Sequence, residues 1–178
     1  PIHPVPQAAI DRILQTAFAE DHPRGDLTAD TIVPADAQAT AVVNAREPGV
    51  LSGGTVFARA MTMLNENIKV TQVVADGERF AAGDELLTVH GPAASVLSAE
   101  RVALNLLQRM SAIATATREL VDLVAHTNAR IADTRKTTPG LRVLERYAVR
   151  CGGGVNHRDN LSEAFMAKDN HLALLGEG

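Results

Sequence analysis

The sequence predicts an α+β domain followed by βαβ units with a parallel sheet. Up to about residue 125, strand-like and helix-like segments are segregated, which is typical of the α+β class. After Asn128, short strand candidates alternate with a helix, which indicates parallel strands joined by a crossover helix. The chain has 178 residues, of which 46% are hydrophobic, so we expect one or two domains with a buried core.

Three segments of the first part have helical character. Apolar residues at i, i+3, i+4, i+7 and i+8 predict a helix that ends before Pro23; they are Ile10, Ile13, Leu14, Ala17 and Phe18. Mixed proline, glycine and charge predict a loop at residues 20–26. A short helix around Val56 ends near Asn65. Residues 95–125 contain no glycine or proline, so one long helix or two consecutive helices are expected.

Runs of Val, Ile and Thr predict the strands of the first part, at residues 38–45, 67–74 and 85–90. In the second part, residues 129–133 and 163–168 are predicted strands on either side of a helix at residues 141–150. A complete βα barrel needs roughly 200 residues or more. We therefore expect a barrel that starts at residue 129 to be cut off at the end of this chain.

Composition excludes several classes of function. The 17 Lys and Arg residues against 21 Asp and Glu residues give a net charge of -4, opposite to a typical nucleic-acid binder. Aromatic residues make up only 3%, which leaves little material for stacking on bases. No segment approaches the ~18 apolar residues of a membrane span, so no membrane association is expected. The single cysteine, Cys151, fits a reducing compartment, and the cytoplasm is the expected location.

Residues 133–140 combine two adjacent cations with three threonines between a predicted strand and a predicted helix. Loops at the carboxyl ends of parallel strands are where such folds bind ligands. Arg135 offers a planar fork for a carboxylate or phosphate, and Lys136 a compact charge for one phosphate oxygen. The pair indicates a polyanionic ligand, with a solvated surface pair as the alternative.

Two further clusters follow. Residues 151–158 place three glycines before His157 and Arg158, and glycines let backbone N–H groups approach an anion; a flexible turn is the alternative. Residues 168–171 begin with Lys168 at the end of a predicted strand, with a polar loop as the alternative. Arg101, on the long helix, is a functional candidate or a solvated residue. No histidine pair has zinc-ligand spacing, so we predict no metal site.

Charge supports a small anion as ligand. Between residues 133 and 158 there are six Arg and Lys residues and two acidic ones, a balance of +4 in a chain of net charge -4. A duplex backbone would favour a broader basic face. The lone Cys151 is interpreted as a small buried apolar residue, because nothing beside it in the sequence forms a nucleophile and base set.

The three clusters in this order resemble the quinolinate phosphoribosyltransferase family. The motifs are DTRKTTPGLR at residues 133–142, YAVRCGGGVNHR at residues 147–158 and KDNH at residues 168–171. Upstream resemblance extends through residues 20–28, 46–53 and 100–117. The resemblance therefore covers nearly the whole chain.

This resemblance implies an amino-terminal α+β sandwich at residues 1–112 and the first part of an α/β barrel at residues 113–178. It also implies a homodimer, or a higher oligomer, whose sites are shared between subunits. The reaction it implies joins quinolinate to phosphoribosyl pyrophosphate with Mg²⁺. The products are nicotinate mononucleotide, pyrophosphate and CO₂, on the route to NAD.

The resemblance also implies roles for single residues. Arg135, His157 and Arg158 are expected to hold the quinolinate carboxylates, with Thr134 among the substrate-binding residues. Arg101 is expected to reach the site from the partner subunit. Lys136 and Lys168 are the expected catalytic residues, which bind substrate and stabilise the departing pyrophosphate.

The chain departs from the family pattern at its end. The acidic residues that the family uses for ribose and magnesium lie further along the barrel, and the chain stops soon after His171. We therefore expect a fragment of the enzyme rather than a complete catalyst. Two alternatives stay open: a related phosphoribosyltransferase that acts on another base, and a noncatalytic anion-binding or dimerisation remnant.

Overall fold

A computed structural model of the chain describes residues 2–175. The helices are α1 (Gln7–Asp21), α2 (Leu27–Ile32), α3 (Gly54–Leu64), α4 (Ala93–Val124), α5 (Arg142–Cys151) and α6 (Asp169–Leu175). The strands are β1 (Gln38–Asn44), β2 (Gly49–Val50), β3 (Lys69–Gln72), β4 (Arg79–Phe80) and β5 (Glu85–Pro92). The three predicted strands and the two helices predicted before residue 65 are confirmed, with ends shifted by a few residues.

The first part of the chain is an α+β domain built on a three-stranded antiparallel sheet. The strand order is β1-β5-β3, and Val43 lies opposite Leu87. Strands β2 and β4 form a separate two-stranded sheet. The central strand β5 buries Leu86, Leu87 and Val89, because helices cover it while neighbouring strands satisfy its backbone. Helix α1 adds Ile10, Leu14 and Phe18 to this core, as its periodicity predicted.

Residues 93–124 form one continuous helix, which decides between the two predicted arrangements. Buried residues recur along it from Val96 to Thr117, so tertiary packing supports all of these turns. The predicted domain boundary after residue 112 falls inside α4, which continues through it, and that boundary stays a prediction.

Helix α2 was not predicted. Asp26 caps it, accepting a hydrogen bond from the Ala29 N–H at 3.0 Å. The helix has six residues, and its apolar residues Leu27 and Ile32 are 83% and 72% exposed. Ala29 is the only residue of this short helix that is buried, and a single buried position carries no periodic signal in the sequence.

The second part contains a minimal parallel pairing with α5 as the connection. The strand predicted at residues 129–133 does not form; this segment contributes only an isolated parallel bridge, from Ala132 to Val155. The strand predicted at residues 163–168 is wrong: this segment forms a turn and irregular chain before α6. Strands require a hydrogen-bonded neighbour, and residues 160–175 are exposed along their length.

Several polar contacts fix helix α5 against the first part of the chain. The Tyr147 hydroxyl donates to Asp76 Oδ2 at 2.8 Å, and Arg118 Nε of α4 donates to the Gly152 carbonyl at 2.9 Å. These contacts set the position of the residues that flank α5. No helix within residues 2–175 has the length and apolar character needed to cross a membrane.

Candidate anion-binding site

The residues around the parallel bridge enclose a cavity of about 370 Å³, which we call the cationic cavity. It contains six of the seven predicted site residues, together with Asp133 and Met166. The six are Thr134, Arg135, Lys136, His157, Arg158 and Lys168. Three segments of the chain therefore meet at one place, and the lining includes four Arg or Lys residues and one acidic residue. The net positive lining favours an anionic ligand.

Arg135 is half-buried in the wall of this cavity. Its Nε is buried and has no hydrogen-bond partner among the residues that the structure describes. A buried donor without a partner is unfavourable by about 1–3 kcal/mol, so such groups in native proteins usually have a role. Arg135 also lines the cationic cavity, and no described residue engages its guanidinium through Nε.

The loop that carries Arg135 and Lys136 is tied to helices α4 and α5. Glu145 Oε2 accepts the Thr138 N–H at 3.1 Å, and Glu145 Oε1 accepts Arg109 Nε at 2.9 Å. Arg109 Nη2 also donates to Thr138 Oγ1. One carboxylate therefore joins the end of the loop to both helices.

The negative charge of Glu145 strengthens its hydrogen bonds to Arg109 and Thr138. Burial by itself would raise the pKa of the Glu145 carboxyl, but hydrogen bonds from Arg109 and Thr138 outweigh burial and hold that pKa below its ordinary value. The ionised carboxylate therefore contributes stability that is fully present above the unfolded-state pKa of about 4.3. This contribution is lost as the pH falls through the folded-state pKa.

Glu145→Gln is expected to lower the free energy of unfolding at pH 7 by about 1–3 kcal/mol, because it removes charge-assisted hydrogen bonds. Urea unfolding at pH 7 and at pH 3 measures this, and the difference between variant and wild type shrinks at pH 3. Glu119→Gln, at an exposed residue, is the control, and its free energy of unfolding is expected to match that of wild type at pH 7 and at pH 3. An equal loss at both pH values contradicts the assigned role of the charge.

His157 and Arg158 reach the cavity because the chain pairs with the Asp133 segment just before them. The Val155 N–H donates to the Ile131 carbonyl at 2.9 Å, and the His157 N–H donates to Asp133 Oδ1 at 2.7 Å. Arg158 Nη1 donates to the Ala164 carbonyl at 2.7 Å. That bond brings the segment leading to Lys168 alongside the cavity.

The three glycines do not form an anion cradle, and this interpretation of the sequence is wrong. Their N–H groups donate to carbonyls of α5 at Ala148, Val149 and Arg150, so they close the helix. A Cβ at Gly152 would lie 2.5 Å from the Ala114 carbonyl oxygen of α4. Close packing of α5 on α4 therefore requires glycine there. Cys151 is buried, as predicted, and burial raises the pKa of its thiol.

Arg101 is not part of the cationic cavity. It lies on the exposed side of α4 and lines a different cavity of about 730 Å³ between α4 and β1. The role of Arg101 in a site shared with a second copy stays a prediction.

Sequence reasoning missed three residues that support the cavity. Asp133, Arg146 and Asn156 form a hydrogen-bonded group behind His157. The available signal was an aspartate at the end of the predicted strand, where its side chain is able to bond neighbouring backbone. Arg146 gave no signal beyond its position on α5.

A resident metal ion does not fit these residues. Within residues 2–175, no group of three or more His, Cys, Asp or Glu side chains is placed to hold one. The carboxylate in the cationic cavity, Asp133, is engaged by Asn156 and the His157 N–H.

Family models match both parts of the chain. Residues 26–111 match the N-terminal domain of quinolinate phosphoribosyl transferase, and residues 113–178 match its C-terminal domain. Together the matches leave out only residues 1–25 and residue 112. The chain belongs to the quinolinate phosphoribosyl transferase family, with an N-terminal domain followed by a C-terminal domain.

Curated relatives agree with this assignment. The chain is 44% identical over 167 residues to the probable nicotinate-nucleotide pyrophosphorylase (carboxylating) of Bacillus subtilis, covering 94% of this chain and 57% of the relative. It is 47% identical over 175 residues to the nicotinate-nucleotide pyrophosphorylase (carboxylating) of Mycobacterium leprae, covering 95% and 60%. The chain thus spans about three fifths of the length of these relatives.

Solved structures of similar proteins have the same fold over nearly the whole of this chain. NadC from Streptococcus pyogenes superposes with a TM-score of 0.93 at 42% identity, covering 98% of this chain and 62% of that chain. The nicotinate-nucleotide pyrophosphorylase from Francisella tularensis has a TM-score of 0.91 at 37% identity, covering 97% and 62%.

Proposed function

We propose that the chain carries the anion-binding part of a quinolinate phosphoribosyltransferase. This enzyme transfers phosphoribose from phosphoribosyl pyrophosphate to quinolinate, with decarboxylation, and makes nicotinate mononucleotide for NAD synthesis. The observation that carries the proposal is the cationic cavity, where six predicted site residues from three segments converge. The names of the relatives support the class of reaction.

Arg135, Arg158 and His157 are the proposed carboxylate-binding residues. Quinolinate has two ring carboxylates, and a guanidinium binds a carboxylate through two parallel charge-assisted hydrogen bonds. Each such bond contributes roughly 1.5–3 kcal/mol. The two arginines follow the two segments that the parallel bridge joins, and both line the cavity, which suits a ligand with two anionic groups. The Thr134 side chain is the neutral member of the proposed binding set.

Lys136 and Lys168 are the proposed catalytic residues. The pyridine nitrogen forms a bond to the ribose C1 with its lone pair, while the bond from C1 to the pyrophosphate oxygen breaks and pyrophosphate leaves with that electron pair. Positive charge aimed at the departing oxygens lowers the barrier, because that charge develops in the transition state. No base is needed for this step, so orientation and electrostatics carry it.

Decarboxylation follows without another cofactor. The bond between the ring and one carboxylate breaks, CO₂ leaves, and the electron pair stays on the ring carbon until a proton replaces the lost group. The glycosylated nitrogen, now positive, stabilises that electron pair. The cationic side chains of the cavity hold the ring in place during this step.

Four further parts of the proposal concern the metal ion, the oligomer, the fold of the second part and the location. Magnesium enters bound to phosphoribosyl pyrophosphate, as part of that substrate. A second copy of the chain supplies Arg101, which lines a separate cavity in its own chain. Residues from 129 onward open an α/β barrel, and the parallel bridge between Ala132 and Val155 with α5 as crossover supports this. We propose the cytoplasm as the location, which the single, free cysteine Cys151 supports.

Release of labelled CO₂ tests this function. The protein at its natural length is incubated with carboxyl-labelled quinolinate, phosphoribosyl pyrophosphate and Mg²⁺, and its intact mass is measured in the same preparation. Labelled CO₂ together with nicotinate mononucleotide is the expected result. Transfer to another base without CO₂ favours the related phosphoribosyltransferase. Calorimetric binding without any product favours the noncatalytic remnant.

A further inference from the structure

The two parallel segments beside the cationic cavity stop pairing through their main chains at Asp133. The Val155 N–H donates to Ile131 O at 2.9 Å, and the Asp133 N–H donates to Val155 O at 3.1 Å. In a regular parallel ladder the next bond runs from the His157 N–H to the Asp133 carbonyl. Here the His157 N–H donates to the Asp133 carboxylate instead, at 2.7 Å. A side chain therefore takes the place of a ladder carbonyl where the cavity opens.

The Asp133 carboxylate is nearly buried and both its oxygens are used. Its side chain is 6% exposed, and Oδ2 accepts Asn156 Nδ2 at 2.6 Å. Arg146, whose side chain is 14% exposed, has its Nε 3.9 Å from Asp133 Oδ2 and donates through Nη1 to the His157 carbonyl at 2.8 Å. The N–H and the C=O of His157 are thus both held, one by Asp133 and one by Arg146.

We propose that Asp133 is a positioning residue: its carboxylate replaces a ladder carbonyl and fixes the His157 main chain so that the His157 and Arg158 side chains are directed at an anionic ligand. The identity of that ligand as quinolinate rests on the proposed function. Asp133 does not bind the ligand, because its oxygens are occupied by protein donors and its charge would repel a carboxylate.

The fixed main chain matters because the ligand-binding groups project from it. A small misplacement of a binding group weakens a bidentate hydrogen bond, which depends on direction as well as charge. Residues that hold such groups in place affect affinity without touching the ligand, as the outer partners of metal ligands do.

Two substitutions at Asp133 test this in the protein at its natural length. Asp133→Ala removes the acceptor for the His157 N–H and is expected to raise KM for quinolinate by about 30-fold or more. Asp133→Asn keeps one acceptor oxygen and is expected to raise it by about 3- to 10-fold. Asp159→Asn is the matched control, since it removes the same charge beside Arg146 without touching the His157 N–H. Its KM is expected to change by less than about twofold.

Separate measurement of KM and kcat distinguishes a positioning role from partial unfolding. Partial unfolding lowers kcat in proportion to the lost protein and leaves KM unchanged, whereas a displaced Arg158 raises KM for quinolinate. Hydrogen exchange gives a second readout: the His157 amide is expected to exchange faster relative to the Val155 amide in the Ala variant. Where that variant does not fold, the Asn variant is measured by the same two readouts.

The outcomes distinguish this proposal from the proposed function. A raised KM in the order Ala above Asn above the Asp159 control supports the positioning role. Unchanged KM in both Asp133 variants, or lowered kcat with unchanged KM, overturns it. If the wild type neither binds nor converts quinolinate, the proposed function fails, and the relative exchange rate of the His157 amide then decides: faster exchange supports the role and unchanged exchange overturns it.

Discussion

Arg135→Ala is expected to abolish quinolinate binding, with a rise in Kd of about 100-fold or more, while the fold stays intact. Two charge-assisted hydrogen bonds of roughly 1.5–3 kcal/mol each account for a loss of this size. The Arg135 side chain makes no hydrogen bond to another residue within residues 2–175, and its Nε is buried without a partner. Its removal therefore leaves no described protein acceptor unpaired. Calorimetry with quinolinate measures the change.

Two variants serve as controls for this result. Arg130→Ala removes the same charge from an exposed residue outside the cationic cavity, and its Kd is expected to stay near that of wild type. Arg135→Lys keeps the charge but loses the planar fork, so an intermediate Kd is expected. Unchanged affinity in Arg135→Ala, with thermal unfolding like that of wild type, refutes the carboxylate-binding role.

Lys136→Met is expected to lower kcat by about 100-fold or more with little change in the Kd of quinolinate. Loss of one group that stabilises charge in a transition state commonly reduces kcat by about 10² to 10³. Lys136 is exposed at the cavity, so its replacement removes charge without opening a void in the core. Steady-state formation of nicotinate mononucleotide measures the effect.

The chain provides a matched control for this lysine. Its lysines are Lys69, Lys136 and Lys168, and Lys69 lies exposed on β3 outside the cationic cavity. Lys69→Met is expected to keep the wild-type kcat. A kcat for Lys136→Met within threefold of wild type contradicts its catalytic assignment. A raised Kd for quinolinate with an unchanged kcat moves Lys136 to substrate binding alone.

The helices and the antiparallel strands were largely predictable because their signals are local. The apolar spacing of α1 and the absence of helix breakers across α4 are properties of neighbouring residues. The residues that line the cationic cavity were predictable to a similar degree, while their roles stay a prediction. Arg135 and Lys136 follow a strand candidate, and the motif order added Arg158 and Lys168, all four of which line the cationic cavity.

Other features depend on contacts that no local pattern encodes. The segment at residues 163–168 contains apolar residues suited to a strand, yet a strand forms only beside a partner, and these residues are exposed. The three glycines were interpreted as an anion contact or a flexible turn, but at Gly152 the approach of α4 at Ala114 is what requires a glycine. Helix α2 was not predicted because it is short and its large apolar residues are exposed, so its sequence shows no helical periodicity.

The sequence by itself determined the α+β class of the first part, its main helices and strands, and the set of cationic residues, since composition, spacing and motif order carry that information. Only the tertiary structure decided that Asp133 holds the His157 main chain and that Arg101 lies in a separate cavity. The reason is physical: a hydrogen bond between residues 24 positions apart depends on how the segments pack. Spacing along the chain carries no measure of that distance in space.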